Sequence, residues 1–239
     1  MSLFQSVYIG VVLTGAGRSL TYAVLNDELN VVMLESGRLE HVLSFASNQE
    51  HVHVAIAGPR RPNQGVIEPD EDGKVGMRLA EKILADQDLS PYYTPGEVMA
   101  CKRWMRKGFA LYNQFDKLGY SPYPHLENPR QYLEAIPEVS FCLWLERHLL
   151  PSRSLEGRLQ RQLVLYDHGL DIQDPIRFFE EVTRHRLLQG LLPYDMLYSP
   201  VALNALANAY TAWLAVADGG VTLVGDASEG QICLPIENY

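Results

Sequence analysis

Cysteine is scarce in this sequence. Cys101, Cys142 and Cys233 are the only three among 239 residues, odd in number and far apart. That excludes a disulfide framework and a cysteine-based zinc pattern, and it points to a reducing, cytoplasmic setting. No run of about 18 apolar residues occurs, so no membrane span is expected. The stretch Val7–Leu13 is too short and too β-branched for a signal peptide and follows no basic segment. Positive charge is in deficit as well. Against 29 Asp and Glu stand 20 Lys and Arg, a formal charge of −9, which argues against general coating of nucleic acid. Glycines 10, 15 and 17 match neither the dinucleotide fingerprint nor the phosphate loop, which needs a following Lys and Ser or Thr. They are read as a tight strand connection, with nucleotide binding at Gly15–Gly17 the lesser alternative.

What is present is an ordinary globular composition, 47% hydrophobic and 21% charged, in a chain large enough to sustain its own core. Val7–Leu13 is a continuous β-branched run and reads as a buried strand. Strands at Leu20–Leu25 and Leu29–Glu35 follow after connections too short for a parallel crossover, so the three form an antiparallel meander. An amphipathic helix over Arg38–Ala46 precedes a fourth strand, His51–Ile56, which the intervening helix lets run parallel to the first. Residues 59–74 and 119–129 lack periodicity and are expected to be exposed and mobile. The first is read as a lid, with Arg60 and Arg61 at its base able to attract an anion. Helices are expected at Val75–Ala85, Glu97–Lys117, Val139–His148, Leu155–Asp167, Pro175–Arg184 and Ala202–Val216. A strand is expected at Tyr132–Ile136 and a terminal hairpin from Val221–Val224 and Gln231–Leu234. The organisation is a single α/β domain over 1–239, with a helical and loop insertion over about 59–130.

Few side chains carry chemistry. His51 and His53 share a strand face but have no third ligand nearby, so an exposed or edge-strand pair is favoured over a metal site. Lys102, Arg103, Arg106 and Lys107 cluster on one side of a helix, as a solvated face or a phosphate-steering patch. Asn204, Asn208 and Thr211 form a polar stripe on the apolar last helix. Burying unpaired amides is costly, so the stripe faces either a water-filled cleft or a structural hydrogen-bond network.

Several segments together resemble a family of RNase H-like predicted nucleases of unknown physiological function. They are Tyr8 to Thr14, Val54 to Pro59, Trp104-Met105 with Gly108-Phe109, Glu134 to Phe141, Leu203 to Leu206 with Ala209 to Ala212, and Gly225-Asp226 with Glu229 to Ile232. The resemblance covers nearly the whole chain in order. It implies an RNase H-like core, a three-strand antiparallel meander followed by parallel strands with helices on both faces. It also implies carboxylates on strand one, at the end of strand four and on the last helix that converge on magnesium or manganese and cleave a phosphodiester. The matching positions here are Val12, Ala57 and Asn204, none of them an acid. With Thr14, Asn208 and Thr211 they are expected to line the cleft. Acids remain at Glu134 and Glu138, and at Asp226 and Glu229, the last two read as turn and capping residues. The expectation is a degenerate site with no metal and a noncatalytic role, binding a partner or ligand or acting as a structural subunit, with a partner protein or a second copy as the possible partner and no membrane. Nucleic acid is a possible but less favoured partner. The alternative is a divalent-metal nuclease rebuilt around Glu134 and Glu138.

Overall fold

A computed structural model describes residues 6–14, 19–67, 76–89, 91–183 and 188–236. Val7–Leu13 (β1), Ser19–Leu25 (β2) and Val31–Arg38 (β3) form an antiparallel meander, with Tyr8 opposite Leu25 and Leu13 opposite Leu20. Helix α1 (Leu39–Ser47) returns the chain so that β4 (Val52–Ala57) lies parallel to β1. The segment between β4 and β6 (Arg130–Ala135) holds α2 (Leu79–Asp86), α3 (Arg103–Lys117) and the two-residue β5 (Ser121–Pro122). After β6 come α4 (Pro137–Leu145), α5 (Leu155–Asp167), α6 (Arg177–Glu181) and α7 (Pro200–Trp213), then the antiparallel pair β7 (Val221–Val224) and β8 (Ile232–Pro235). The result is a mixed α/β fold around one eight-stranded sheet in the order β3-β2-β1-β4-β6-β8-β7, with β5 pairing on β6. Its centre, β1, β4, β6 and β8, is parallel and its edges are antiparallel. Among the described residues no helix is long and apolar enough to cross a membrane.

Strand alternation divides the core into two faces. Ile9, Val11, Val54, Ile56 and Tyr132 pack with α1 and α3, whereas Tyr8, Ala55, Leu133 and Ala135 pack with α5 and α7. Two glycines set how closely α-helices approach the sheet. A Cβ on Gly10 would lie 2.0 Å from the Ala205 carbonyl oxygen, so α7 rests directly on β1. Gly108 on α3 sits against Leu13 and the Pro59 carbonyl.

Several boundaries depart from expectation. β3 begins at Val31 and runs through Arg38 because Leu29 is left-handed (φ 62) and the Asn26 side chain accepts the N–H groups of Glu28 and Asn30, which lengthens the turn. α3 starts at Arg103 rather than Glu97, since Lys102 is extended (ψ 150) and residues 97–101 form separate turns. α4 starts at Pro137, whose fixed φ suits the first helical position, and ends at the left-handed Glu146. α6 covers only Arg177–Glu181, and Arg184 lies outside the described residues, as do Val75 and the turn at Gly15–Gly17. β5 falls inside a segment expected to be loop throughout. His53 is not exposed: β4 is a central strand, and the ring is 5% accessible and stacked on Tyr8.

Candidate functional site

The C-terminal ends of β1, β4 and β6 lie together at one edge of the sheet, and most of the candidate residues gather there. Val12 and Ala57 are register partners on adjacent strands and half-buried. Neither side chain has a donor atom. Thr14 ends the run, its hydroxyl donating to the Ser19 carbonyl (2.8 Å) and its own carbonyl accepting from the Lys107 ammonium (2.6 Å). Burial and the nearby Arg103 lower the Lys107 pKa. Lys107 thereby ties the basic stripe of α3 to the end of β1, while Lys102, Arg103 and Arg106 are exposed beside it.

The polar stripe of α7 divides. Asn204 is half-buried and its amide N–H reaches Glu138 Oε1 at 3.5 Å. Asn208 and Thr211 do not line a cleft. The close seat of α7 on Gly10 leaves no room for one, so Asn208 is fully buried and donates to the Val11 carbonyl (3.0 Å), while Thr211 donates to Ala207 within its own helix. Glu138 also accepts from the buried guanidinium of Arg161 (2.6 Å), whose other nitrogen donates to the carbonyls of Leu150 and Gly157. Asn204 Oδ1, Asn208 Oδ1 and Arg161 Nε are buried without a hydrogen-bond partner among the described residues.

Glu134 belongs to a different cluster on the opposite face. It lies two residues from Tyr132 on the same strand face, so it points to the α3 side, where Arg78 makes a two-nitrogen pair with its carboxylate. Tyr92 donates its hydroxyl (2.7 Å) and Arg60 its backbone N–H (3.0 Å) to the same carboxylate. Arg78 Nε also binds Glu81 (2.9 Å), which accepts the N–H (2.8 Å) and hydroxyl (2.5 Å) of Thr94. Burial alone would lower the Arg78 pKa, yet Glu134 and Glu81 hold it well above the ordinary guanidinium value. Burial raises Glu81 despite its cationic partner, and it pushes Tyr92 well above the usual phenol value.

Glu229 completes this knot. It is fully buried and accepts the N–H groups of Gln64 (3.0 Å), Val66 (3.3 Å) and Leu79 (3.0 Å), so it caps α2 and pins the loop after β4. The described part of that loop, through residue 67, is therefore fastened rather than a free lid; residues 68–74 lie outside the described residues. Asp226 does act within its own turn, accepting from the Ser228 N–H and hydroxyl, which lowers its pKa. Arg61 donates to the Ser228 carbonyl (3.0 Å). Tyr120 is buried, its hydroxyl donating to the Ala46 carbonyl (3.0 Å).

The structure thus places Glu138 with Asn204 and spends Glu134 elsewhere. The residues do not fit a divalent metal: Val12 and Ala57 contribute no ligand atom, Glu138 is paired with Arg161, and Glu134 has four donors on two oxygens. Among the described residues no group of three His, Cys, Asp or Glu side chains is arranged to hold a metal ion. Arg78, Tyr92 and Arg161 were missed in the sequence. A glutamate inside the apolar strand Tyr132–Ile136 requires a buried cation somewhere, but sequence does not say which arginine supplies it. Compared with known proteins, the chain matches no protein-family profile and no curated protein.

Proposed function

We propose that the chain is an RNase H-like protein that has lost its metal site and acts without catalysis, binding a partner protein or a second copy in a reducing, cytoplasmic compartment. The strand order supports this reading, with a meander on one side of β1 and the parallel strands on the other. The observation that carries it is the Glu138–Asn204–Arg161 arrangement at the end of β6. Where two-metal hydrolysis needs converging carboxylates, one carboxylate remains, held by an arginine and a neutral amide. A rebuilt nuclease on Glu134 and Glu138 lacks support, because the two enter separate ion pairs on opposite sides of the sheet. The test is thermal unfolding during magnesium and manganese titration. A ligand of the folded state raises the midpoint with concentration. The proposal expects no saturable rise; a rise abolished by Glu138→Gln would overturn it.

A second reading is favoured by the Lys107–Thr14 contact, which sets the α3 cations beside the β1 end. It makes the partner a single-stranded nucleic acid. Oligonucleotide binding at low salt that falls steeply at moderate salt would support it, and absence of binding at low salt would leave the protein partner.

A further inference from the structure

On the flank of β6 away from β4, the sheet splits. β5 covers the flank of β6 at Gln131 and Tyr132, and β8 pairs with β6 only from Glu134 to Ile232. Between these covers lies a cavity of about 360 Å³ bordered by Arg60, Tyr123, His125, Tyr132, Glu134 and Leu223. This is within the size range of small-molecule sites, which are mostly apolar with a few placed polar groups.

Its polar groups are set by the fold rather than by chance rotamers. Arg60 is half-buried, its backbone N–H tied to Glu134 and its guanidinium 5.2 Å from the centre of the Tyr132 ring. Among the described residues that guanidinium has no carboxylate partner and no hydrogen-bond acceptor. At the rim, His125 Nδ1 accepts the N–H groups of Glu127 (3.4 Å) and Asn128 (3.2 Å). In the neutral ring the proton is therefore on Nε2, a second donor. The one anion at the wall, Glu134, has its oxygens filled by Arg78, Tyr92 and the Arg60 N–H. It offers a ligand no free lone pair, and Arg78 balances its charge.

We propose that this cavity binds a small carboxylic acid with a flat apolar body, its carboxylate on Arg60 and its body against Tyr123, Tyr132 and Leu223. A carboxylate is planar, singly charged and matched to a stacked guanidinium; a phosphate dianion would meet one arginine in the lining for its two charges. The inference does not depend on the RNase H-like reading, since none of Val12, Ala57, Glu138 and Asn204 lines the cavity.

The test uses the full chain with benzoate, 2-naphthoate and indole-3-acetate, the corresponding neutral amides, and phenyl phosphate, read by calorimetry and ligand-observed NMR. At least one carboxylate should bind, with its amide about ten- to a hundredfold weaker, the loss expected for a charge-assisted hydrogen bond. Arg60→Gln should impose a similar loss. Ala227→Trp, at an exposed rim position, should block the cavity while leaving Arg60 in place; it decides the matter if Arg60→Gln does not fold. Equal binding of acid and amide, binding unaffected by either variant, tighter binding of phenyl phosphate, or no carboxylate binding at about 10 mM would each overturn the proposal.

Discussion

The two faces of the sheet treat buried polar groups differently. On the α3 side, Arg78, Glu81, Glu134, Thr94 and Glu229 are all buried, and their side-chain oxygens and nitrogens are engaged with one another or with backbone N–H groups. On the α7 side, His53 Nδ1, Arg161 Nε, Asn204 Oδ1 and Asn208 Oδ1 are buried without partners, and no others are found among the described residues. His53 belongs to this face because it lies two residues from Ala55 on the same strand and stacks on Tyr8. A filled network rigidifies what it touches, and an unfilled one is where stability has been given up. The first network fastens the loop after β4 and the start of α2. The second runs beneath the helix that the family resemblance associates with metal chemistry.

Disrupting the filled side should cost most. Arg78→Met leaves Glu134 and Glu81 buried without their cation, and breaking a buried pair this way costs about 3–5 kcal/mol. Urea unfolding of the variant measures it. A loss under about 1 kcal/mol would mean that water reaches the knot.

Gly10→Ala tests the seat of α7. The added Cβ would meet the Ala205 oxygen at 2.0 Å and the Ala209 nitrogen at 2.3 Å, both backbone atoms, so the helix must move. About 3 kcal/mol of destabilisation is expected, the upper end of overpacking. A neutral effect would show α7 to be loosely held.

His53 gives the α7 side a pH signature. Burial first, then the charge of His51, depresses its pKa from 6.5 to about 4. The unfolded chain therefore takes up a proton near pH 6.5 that the folded chain refuses until about pH 4, and stability falls as pH drops through that window. The full effect is on the order of 3 kcal/mol. Glu81 works in the opposite sense: its raised pKa favours the fold at acid pH and loses that contribution as pH rises through the folded value. The informative quantity is therefore the difference between wild type and His53→Gln, whose stability should vary less between pH 4 and 6.5. Parallel pH curves would contradict the assignment.

Asn208→Ala should have the smallest effect. It removes one hydrogen bond to Val11 and one unpaired oxygen together, for a net of about 1 kcal/mol in chemical denaturation. A loss above about 3 kcal/mol would show that Asn208 Oδ1 has a partner in solution.

The strand framework was legible in the sequence because short connections and β-branched runs are local signals: β1, α5 and β7 match their expected bounds. The pairing of Arg78 with Glu134 was not, because it joins positions 56 residues apart and local patterning does not encode which distant charges meet. The stripe Asn204, Asn208, Thr211 illustrates the intermediate case. Helical spacing put the three on one line, but it could not show that Gly10 would draw the helix onto β1 and bury the lower two. Of the two acids expected to serve as turn and capping residues, Asp226 closes its own turn and Glu229 caps the distant α2, a partner that local patterning does not encode.

The central claim is that the ends of β1 and β4 and the start of α7 do not form a metal site. Manganese binding to the full chain, followed by the loss of the free-ion resonance in electron paramagnetic spectra, tests it most directly. The account predicts that the signal tracks total manganese up to about millimolar concentration, the weak end of carboxylate sites. One saturable site per chain, removed by Glu138→Gln and kept in Glu134→Gln, would contradict it.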